Sequence, residues 1–403
     1  MAIIQPFKGW LPKPENVSDV ACPPYDVIST KEAEELAEGN THSFLHIIRP
    51  EIDLPEGTLY YDDAVYQKGA ANLKNLLNSK IYSQEEKPAI YIYQLESESH
   101  TQTGVFTCAS IQDYNNDVIL KHELTRPDKE QDRTKHIQMQ QAHAEPVMLT
   151  FKDSEDVAFQ IEKIITTNEP FIEHTDKQGV VHKLWKQFAS AEMAKAFAEI
   201  DNFYIADGHH RCKAASRVSE NLRERDRSFP GEAEYDYFPV VLFPMSQMNI
   251  LPYNRVLITV RKSQAEELFD KFDAEKTEEK TPGKKGDISV YYKGEWWSLS
   301  LPEASGKDVV LNLDSARLQN SILKPIFSIE NPRINKNIEF VGGSRGTEEL
   351  ERLVDNGDAD LAISMYPTSI EELIDVSDKG ELMPPKSTWF SPKLQSGLII
   401  HTF

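Results

Sequence analysis

Asp207-Gly208-His209-His210-Arg211 gathers five residue types that each suit chemistry at an anion. Asp207 can accept a proton or hold a cation. Gly208 lets the backbone come close to a ligand. His209 and His210 titrate near neutral pH. Arg211 can fork two hydrogen bonds onto phosphate oxygens. The apolar run Phe203 to Ala206 reads as a short buried strand, and Cys212 to Asn221, with Ala214, Ala215 and Val218 on one side, reads as a helix. A strand that turns sharply into a helix presents the amides of the first helical turn, which seat an anion and above all a phosphate. Capping of the helix by Asp207 explains one of the five residues but not the run.

A second cluster lies upstream. Val118 to Glu123 reads as a strand ending in His122-Glu123, followed by a polar helix running to about Ala142. On that helix Asp132, His136 and Gln140 share a face at i, i+4 and i+8, with Arg133 beside them. His122, Glu123, Asp128, Asp132 and His136 form a candidate carboxylate–imidazole site. For Asp132 and His136 the plainer expectation is a solvated charged face. Glu123 differs because it follows the strand immediately, at its exit, where catalytic groups often sit. Gly342 to Gly346 sits between a short strand and a helix like a phosphate loop, yet lacks the Gly-Lys-Ser/Thr of a P-loop. Near the end, Lys386, Ser387 and Thr388 can donate to a phosphate, or belong to a tail packed on the surface.

Elements alternate around these residues as in a mixed α/β or α+β core. Helices are expected over Thr30 to Glu38, Thr58 to Leu77, Glu155 to Ile165 and Ala189 to Glu199. Strands are expected over Ser43 to Arg49, Ala89 to Leu95, Gly104 to Ile111, Pro146 to Phe151 and Phe238 to Met245. Hairpins turn at Gly179 and Gly294. Cys22-Pro23-Pro24-Tyr25-Asp26-Val27 cannot be regular helix and reads as an ordered turn, either lining something or merely connecting. A length of 403 residues suggests two or three domains, expected here at 1–115, 116–235 and 236–403.

Lys+Arg 44 against Asp+Glu 65 gives a net charge of −21. That field repels nucleic acid, so an anionic ligand has to be drawn in locally. There is no apolar run long enough to span a membrane and no signal-peptide pattern at the start, so no membrane partner is expected. Cys22, Cys108 and Cys212 are far apart and odd in number, which fits a reducing cytoplasm and leaves no CxxC metal site.

The Cys-Pro-Pro-Tyr-Asp-Val start, Ser43 to His46, His122-Glu123, Ala206 to Arg211 and Met383 to Phe390 together resemble the family catalogued as domain of unknown function 1015, over essentially the whole chain. The loop 207–211 is similar to the signature of the ParB/sulfiredoxin superfamily, most of all to free serine kinases. That resemblance implies a ParB/sulfiredoxin-like core with further α+β elements at both ends. It implies Gly208, His209, His210 and Arg211 around nucleotide phosphates, to which Arg133, Lys386, Ser387 and Thr388 are added as further phosphate-binding candidates by their side-chain chemistry. Asp207, His209, His210 and Glu123 become the catalytic candidates, and Asp207 the holder of Mg²⁺. Sulfiredoxin chemistry needs a Cys where His209 stands, and Cys212 comes one position too late. The implied activity is phosphoryl transfer between ATP or ADP and a small hydroxylated amino acid or its phosphate ester, serine being the analogue. A metal-dependent phosphoesterase and a non-catalytic nucleotide-binding regulator are the alternatives.

Overall fold

The computed structural model describes the chain apart from residues 1, 189–190, 227–228 and 305. The expected helix start at Ala189 and part of the expected loop from Asp226 to Tyr235 lie outside the described residues. Two compact units emerge, and the chain passes between them four times. The first holds 1–121, 125–248 and 392–403; the second holds 122–124 and 249–391.

The first unit is built on a nine-stranded mixed sheet. Its strands are β1 (Ile4–Gln5), β2 (Ala89–Glu96), β3 (Thr101–Ser110), β4 (Ile119–Leu120), β5 (Val147–Phe151), β6 (Ile172–Thr175), β7 (Val181–Phe188), β8 (Phe203–Asp207) and β9 (Tyr237–Pro244). The order is β4-β8-β5-β9-β3-β2-β7-β6, with β1 added on β3. The β8–β4 and β9–β5 pairs are parallel and the others antiparallel. Val147 to Phe151 is buried at every position, as a central strand covered on both faces must be. Helix α1 (Asp63–Asn78) packs on α2 (Pro127–Gln140), α2 packs on α5 (His209–Asp226), and α5 lies against the sheet together with α3 (Glu155–Thr167) and α4 (Ala191–Ala198). Val157, Ile161 and Ile164 of α3 recur at helical spacing and join Met193 and Phe197 of α4 in the core over the sheet.

Two expectations fail here. Ser43 to Arg49 is no strand: Leu45–Ile48 is a helical turn. An unbroken apolar run fits either state. Here His46 decides, because its ring nitrogens bond Asp53 (2.7 Å) and the Asn40 carbonyl (3.0 Å) across a compact turn. The α2 face expected in solvent is buried, with Asp132, Arg133 and His136 each less than one-tenth exposed.

The second unit has its own six-stranded antiparallel sheet. Its strands are β10 (Tyr253–Leu257), β11 (Glu275–Thr277), β12 (Asp287–Tyr292), β13 (Glu295–Ser300), β14 (Ile338–Gly342) and β15 (Leu361–Met365), in the order β11-β13-β12-β15-β10-β14. Helices α6 (Lys262–Lys271), α7 (Gly346–Asp355) and α8 (Ile370–Asp378) complete it. Its core includes Leu257, Leu268, Ile288, Val290, Leu361 and Ile363.

Candidate functional site

Strand β8 reaches Asp207 through a register break between Ile205 and Asp207. A bulge of this kind re-aims the residue that follows it. Gly208 then turns the chain at φ 107°, a region L side chains rarely enter. Helix α5 begins at once with His209. A Cβ on Gly208 would lie 3.0 Å from Arg211 Nε and 3.2 Å from its Cζ. The Arg211 guanidinium is therefore folded back beneath the glycine.

Arg211 is held from two sides. Its Nη2 donates to Asp207 Oδ2 at 2.7 Å, and its Nη1 donates to the Pro146 carbonyl. Its Nε is buried without an acceptor among the described residues. Burial alone would lower the pKa of this guanidinium, but Asp207, Asp26 and Glu145 outweigh it and raise it. The other Asp207 oxygen accepts from Lys393 Nζ at 3.3 Å. Both carboxylate oxygens thus face cations, and no group of three His, Cys, Asp or Glu suited to a metal occurs among the described residues. Asp207 as placed does not fit a Mg²⁺ ligand.

A second shell of charge lies under the turn. Glu145 is buried, and its Oε1 accepts from the Tyr25 amide and the Ser396 hydroxyl, each at 3.1 Å. Its Oε2 lies 3.7 Å from Arg133 Nη1. Burial pushes the Glu145 carboxyl up, against the pull of Arg211 and Arg133. Arg133 pairs with Asp132 at 2.7 Å and stands 3.9 Å over the Tyr25 ring. Like Arg211, it is paired with a carboxylate inside this cluster. The Pro-Pro-Tyr-Asp turn comes together with the C-terminal segment, since Cys22 and Ser396 exchange backbone hydrogen bonds at 3.2 and 2.9 Å. The turn is more than a connector, since Tyr25 packs under Arg133 and Asp26 acts on the charge of Arg211.

A cavity of about 30 Å³ adjoins this shell, lined among others by Arg133, His136, His143, Glu145 and Arg211. It has room for at least one water molecule. His136 Nδ1 and His143 Nε2 are buried there without partners among the described residues. Burial pushes both imidazoles well down, helped by Arg133 for His136 and by His401 for His143.

The remaining candidates disperse. His209 is buried at the helix start. His210 Nε2 accepts the Arg126 amide at 3.0 Å, which leaves the proton of the neutral ring on Nδ1. Asp132 accepts from the Tyr66 hydroxyl at 3.1 Å and lies 3.9 Å from His136, whereas Asp128 is exposed beside Arg126. These carboxylates do not converge on one point. Glu123 is half-buried at a bend within the segment 122–124, which belongs to the second unit. Its neighbour His122 meets Thr388 through Nε2 at 3.3 Å and accepts the Met383 amide at 2.8 Å.

In the second unit, Ser387 is buried and bonded to Ser315 (2.8 Å) and the Pro384 carbonyl (2.7 Å), so its hydroxyl serves the fold. Lys386 sits at φ 59°. Gly342 and Gly343 have a packing reason. A Cβ at Gly342 would lie 2.5 Å from Trp389, and one at Gly343 2.5 Å from the Pro252 carbonyl. Close approach, not a phosphate, accounts for these two glycines. Cys212 is fully buried, and burial pushes its thiol up to about 12, so it is no thiolate nucleophile.

Sequence reasoning missed Glu145, Lys393 and Ser396. Glu145 had one cue, its place immediately before the Pro146 that opens β5. Lys393 and Ser396 had none, because they reach the loop from the far end of the chain.

Among solved structures, the fold is similar to a conserved hypothetical protein from Pyrococcus furiosus (13% identity, covering 73% of this chain and 95% of that one, TM-score 0.38). It is similar to a free serine kinase in complex with AMP (12%, 73% and 92%, TM-score 0.37). It is also similar to C-terminally truncated SbnI from Staphylococcus aureus (15%, 72% and 85%, TM-score 0.37). No curated protein matches the chain. No helix among the described residues is long and apolar enough to cross a membrane. The family model described as protein of unknown function (DUF1015) matches residues 4–316, and the chain belongs to that family.

Proposed function

We propose that this protein is a nucleotide-dependent phosphotransferase acting on a small hydroxylated amino acid or its phosphate ester, with serine and phosphoserine as the first pair to test. The observation that carries the reading is the turn at Gly208. It joins a bulged strand end to the first turn of an 18-residue helix, with a buried arginine fixed beneath it. Phosphoryl transfer asks the protein for positioning and charge neutralisation more than for covalent chemistry. A rigid turn with first-turn amides and two cations, Arg211 and Lys393, supplies both. Their position is set before a ligand arrives, so little reorganisation is needed at the moment of reaction.

In this reading the loop 207–211 holds the nucleotide phosphates. Glu123 takes the proton of the acceptor hydroxyl, or returns it in the reverse direction. Magnesium enters only as the nucleotide's own counter-ion, because Asp207 is already neutralised by Arg211 and Lys393. Removing one well-placed donor of this kind costs about 3–4 kcal/mol of transition-state stabilisation.

The test compares Glu123→Gln with wild type for nucleotide binding by calorimetry and for transfer by product analysis. Binding kept with transfer abolished supports the kinase. Binding and transfer both unchanged removes Glu123 as the base. Wild-type binding without any transfer assigns the protein to the regulators.

A further inference from the structure

Four arginines are buried among the described residues: Arg49, Arg133, Arg211 and Arg255. Three have a carboxylate close by: Glu51 at 3.0 Å from Arg49, Asp132 at 2.7 Å from Arg133 and Asp207 at 2.7 Å from Arg211. Arg255 has none. It is 4% exposed, on the interior strand β10 of the second unit, and makes no ion pair among the described residues. Its guanidinium donates to backbone, from Nη1 to the Tyr253 carbonyl and from Nη2 to the Lys386 carbonyl at 3.2 Å. Arg133 and Arg211 are raised by their acidic neighbours, whereas burial pushes Arg255 down to about 10.

A buried charge without a counter-charge is costly, and proteins keep such groups paired. The carbonyl that receives Arg255 Nη2 belongs to Lys386. That residue is a second cation, held at φ 59°, with its ammonium 5.2 Å from the centre of the Tyr253 ring. Two positive side chains therefore flank Tyr253. A planar guanidinium matches two oxygens of a carboxylate or phosphate group, and an ammonium adds a point charge.

We propose that Arg255 and Lys386 form an oxyanion-binding site in the second unit, which takes the phosphate or carboxylate group of a small ligand. This inference does not depend on the loop 207–211. It gives Lys386 a binding partner that the sequence did not reveal, since Arg255 stands in an apolar strand with no motif around it.

Equilibrium dialysis with radiolabelled inorganic phosphate, at ionic strength fixed with sodium chloride, counts the bound equivalents. A parallel series with labelled acetate separates carboxylate from phosphate selectivity. Arg255→Met is expected to lose one equivalent, with at least a tenfold rise in its Kd, while Arg211→Met retains that equivalent. Circular dichroism checks that each variant folds. Should Arg255→Met not fold, the half-buried Lys386→Met replaces it, with at least a threefold rise in Kd expected. An unchanged Kd in the folded Arg255→Met, or in Lys386→Met where that replaces it, overturns the inference. So does wild-type protein that binds neither anion. Loss confined to Arg211→Met overturns the inference while leaving the phosphotransferase reading intact.

Discussion

Replacing Gly208 with alanine tests whether the turn is as rigid as its contacts imply. Two costs arise. The first is backbone: a non-glycine residue at φ 107° sits in a sparsely populated region, at about 1–3 kcal/mol. The second is crowding: the new methyl would stand 3.0 Å from Arg211 Nε and 3.2 Å from Cζ. Arg211 cannot retreat without giving up Asp207 and the Pro146 carbonyl, and forced overpacking costs about 1–3 kcal/mol. Gly179 supplies the control. It has φ 83°, and nothing lies within 4 Å of its Cβ position. Gly179→Ala should show the backbone cost alone, about 1 kcal/mol, and Gly208→Ala about 3 kcal/mol. The difference of about 2 kcal/mol corresponds to roughly 4–8 °C in Tm for a body of this size. Differential scanning calorimetry of both variants, with nucleotide titration of each, reads it. Equal Tm losses would refute the fixed guanidinium beneath the turn. Nucleotide affinity unchanged in a destabilised Gly208→Ala would detach the turn from binding.

Other perturbations have equally definite outcomes. Glu145→Leu should cost about 3–5 kcal/mol in urea unfolding, because it strands a buried cation side of the cluster. Glu145→Gln, which keeps acceptors for the Tyr25 amide and the Ser396 hydroxyl, should cost markedly less. Lys393→Met should weaken nucleotide binding about tenfold and flatten its salt dependence, measured by calorimetry at two ionic strengths. The buried imidazoles of His136 and His143 have folded pKa values below the unfolded value of about 6.5. The unfolded chain then binds more protons below that pH, so their contribution is complete above about pH 6.5 and is lost as pH falls towards the folded values. Stability should drop by up to about 2.7 kcal/mol per pH unit there. His143→Phe should halve that slope, and an unchanged slope in denaturant titrations at several pH values would exclude the pair as its source.

Local signals carried much of the first unit. The strand-turn-helix at 203–221 was legible because an apolar run, a glycine and a helical small-residue face follow in order. The α3 helix and the hairpin at Gly179 were legible through their periods. The α2 helix was legible as a helix but not in its burial. Asp132 and Arg133 look like surface residues in sequence, and only the partners Tyr25, Tyr66 and Glu145 make their burial tolerable. Ser43 to Arg49 misled because contiguous apolar residues carry no period. The cluster under Gly208 was out of reach for a different reason. It is assembled from the N-terminal turn, α2, the β5 entrance and the C-terminal segment, and no local pattern encodes contacts over such separations. Arg255 is a further case. It is a single residue with no motif around it, and the lack of a carboxylate beside it is visible only in three dimensions.

Phosphorus NMR is the most direct measurement on the central claim. Purified protein is followed over time with ATP or ADP and serine, and separately with phosphoserine with and without nucleoside diphosphate, magnesium being present throughout as the nucleotide's counter-ion. The account predicts phosphoserine growing in the first series, or phosphoserine consumed in the second only when nucleotide is present. Inorganic phosphate released from phosphoserine without nucleotide would contradict it in favour of hydrolysis. Unchanged spectra in both series, alongside measurable nucleotide binding, would contradict catalysis of this reaction altogether.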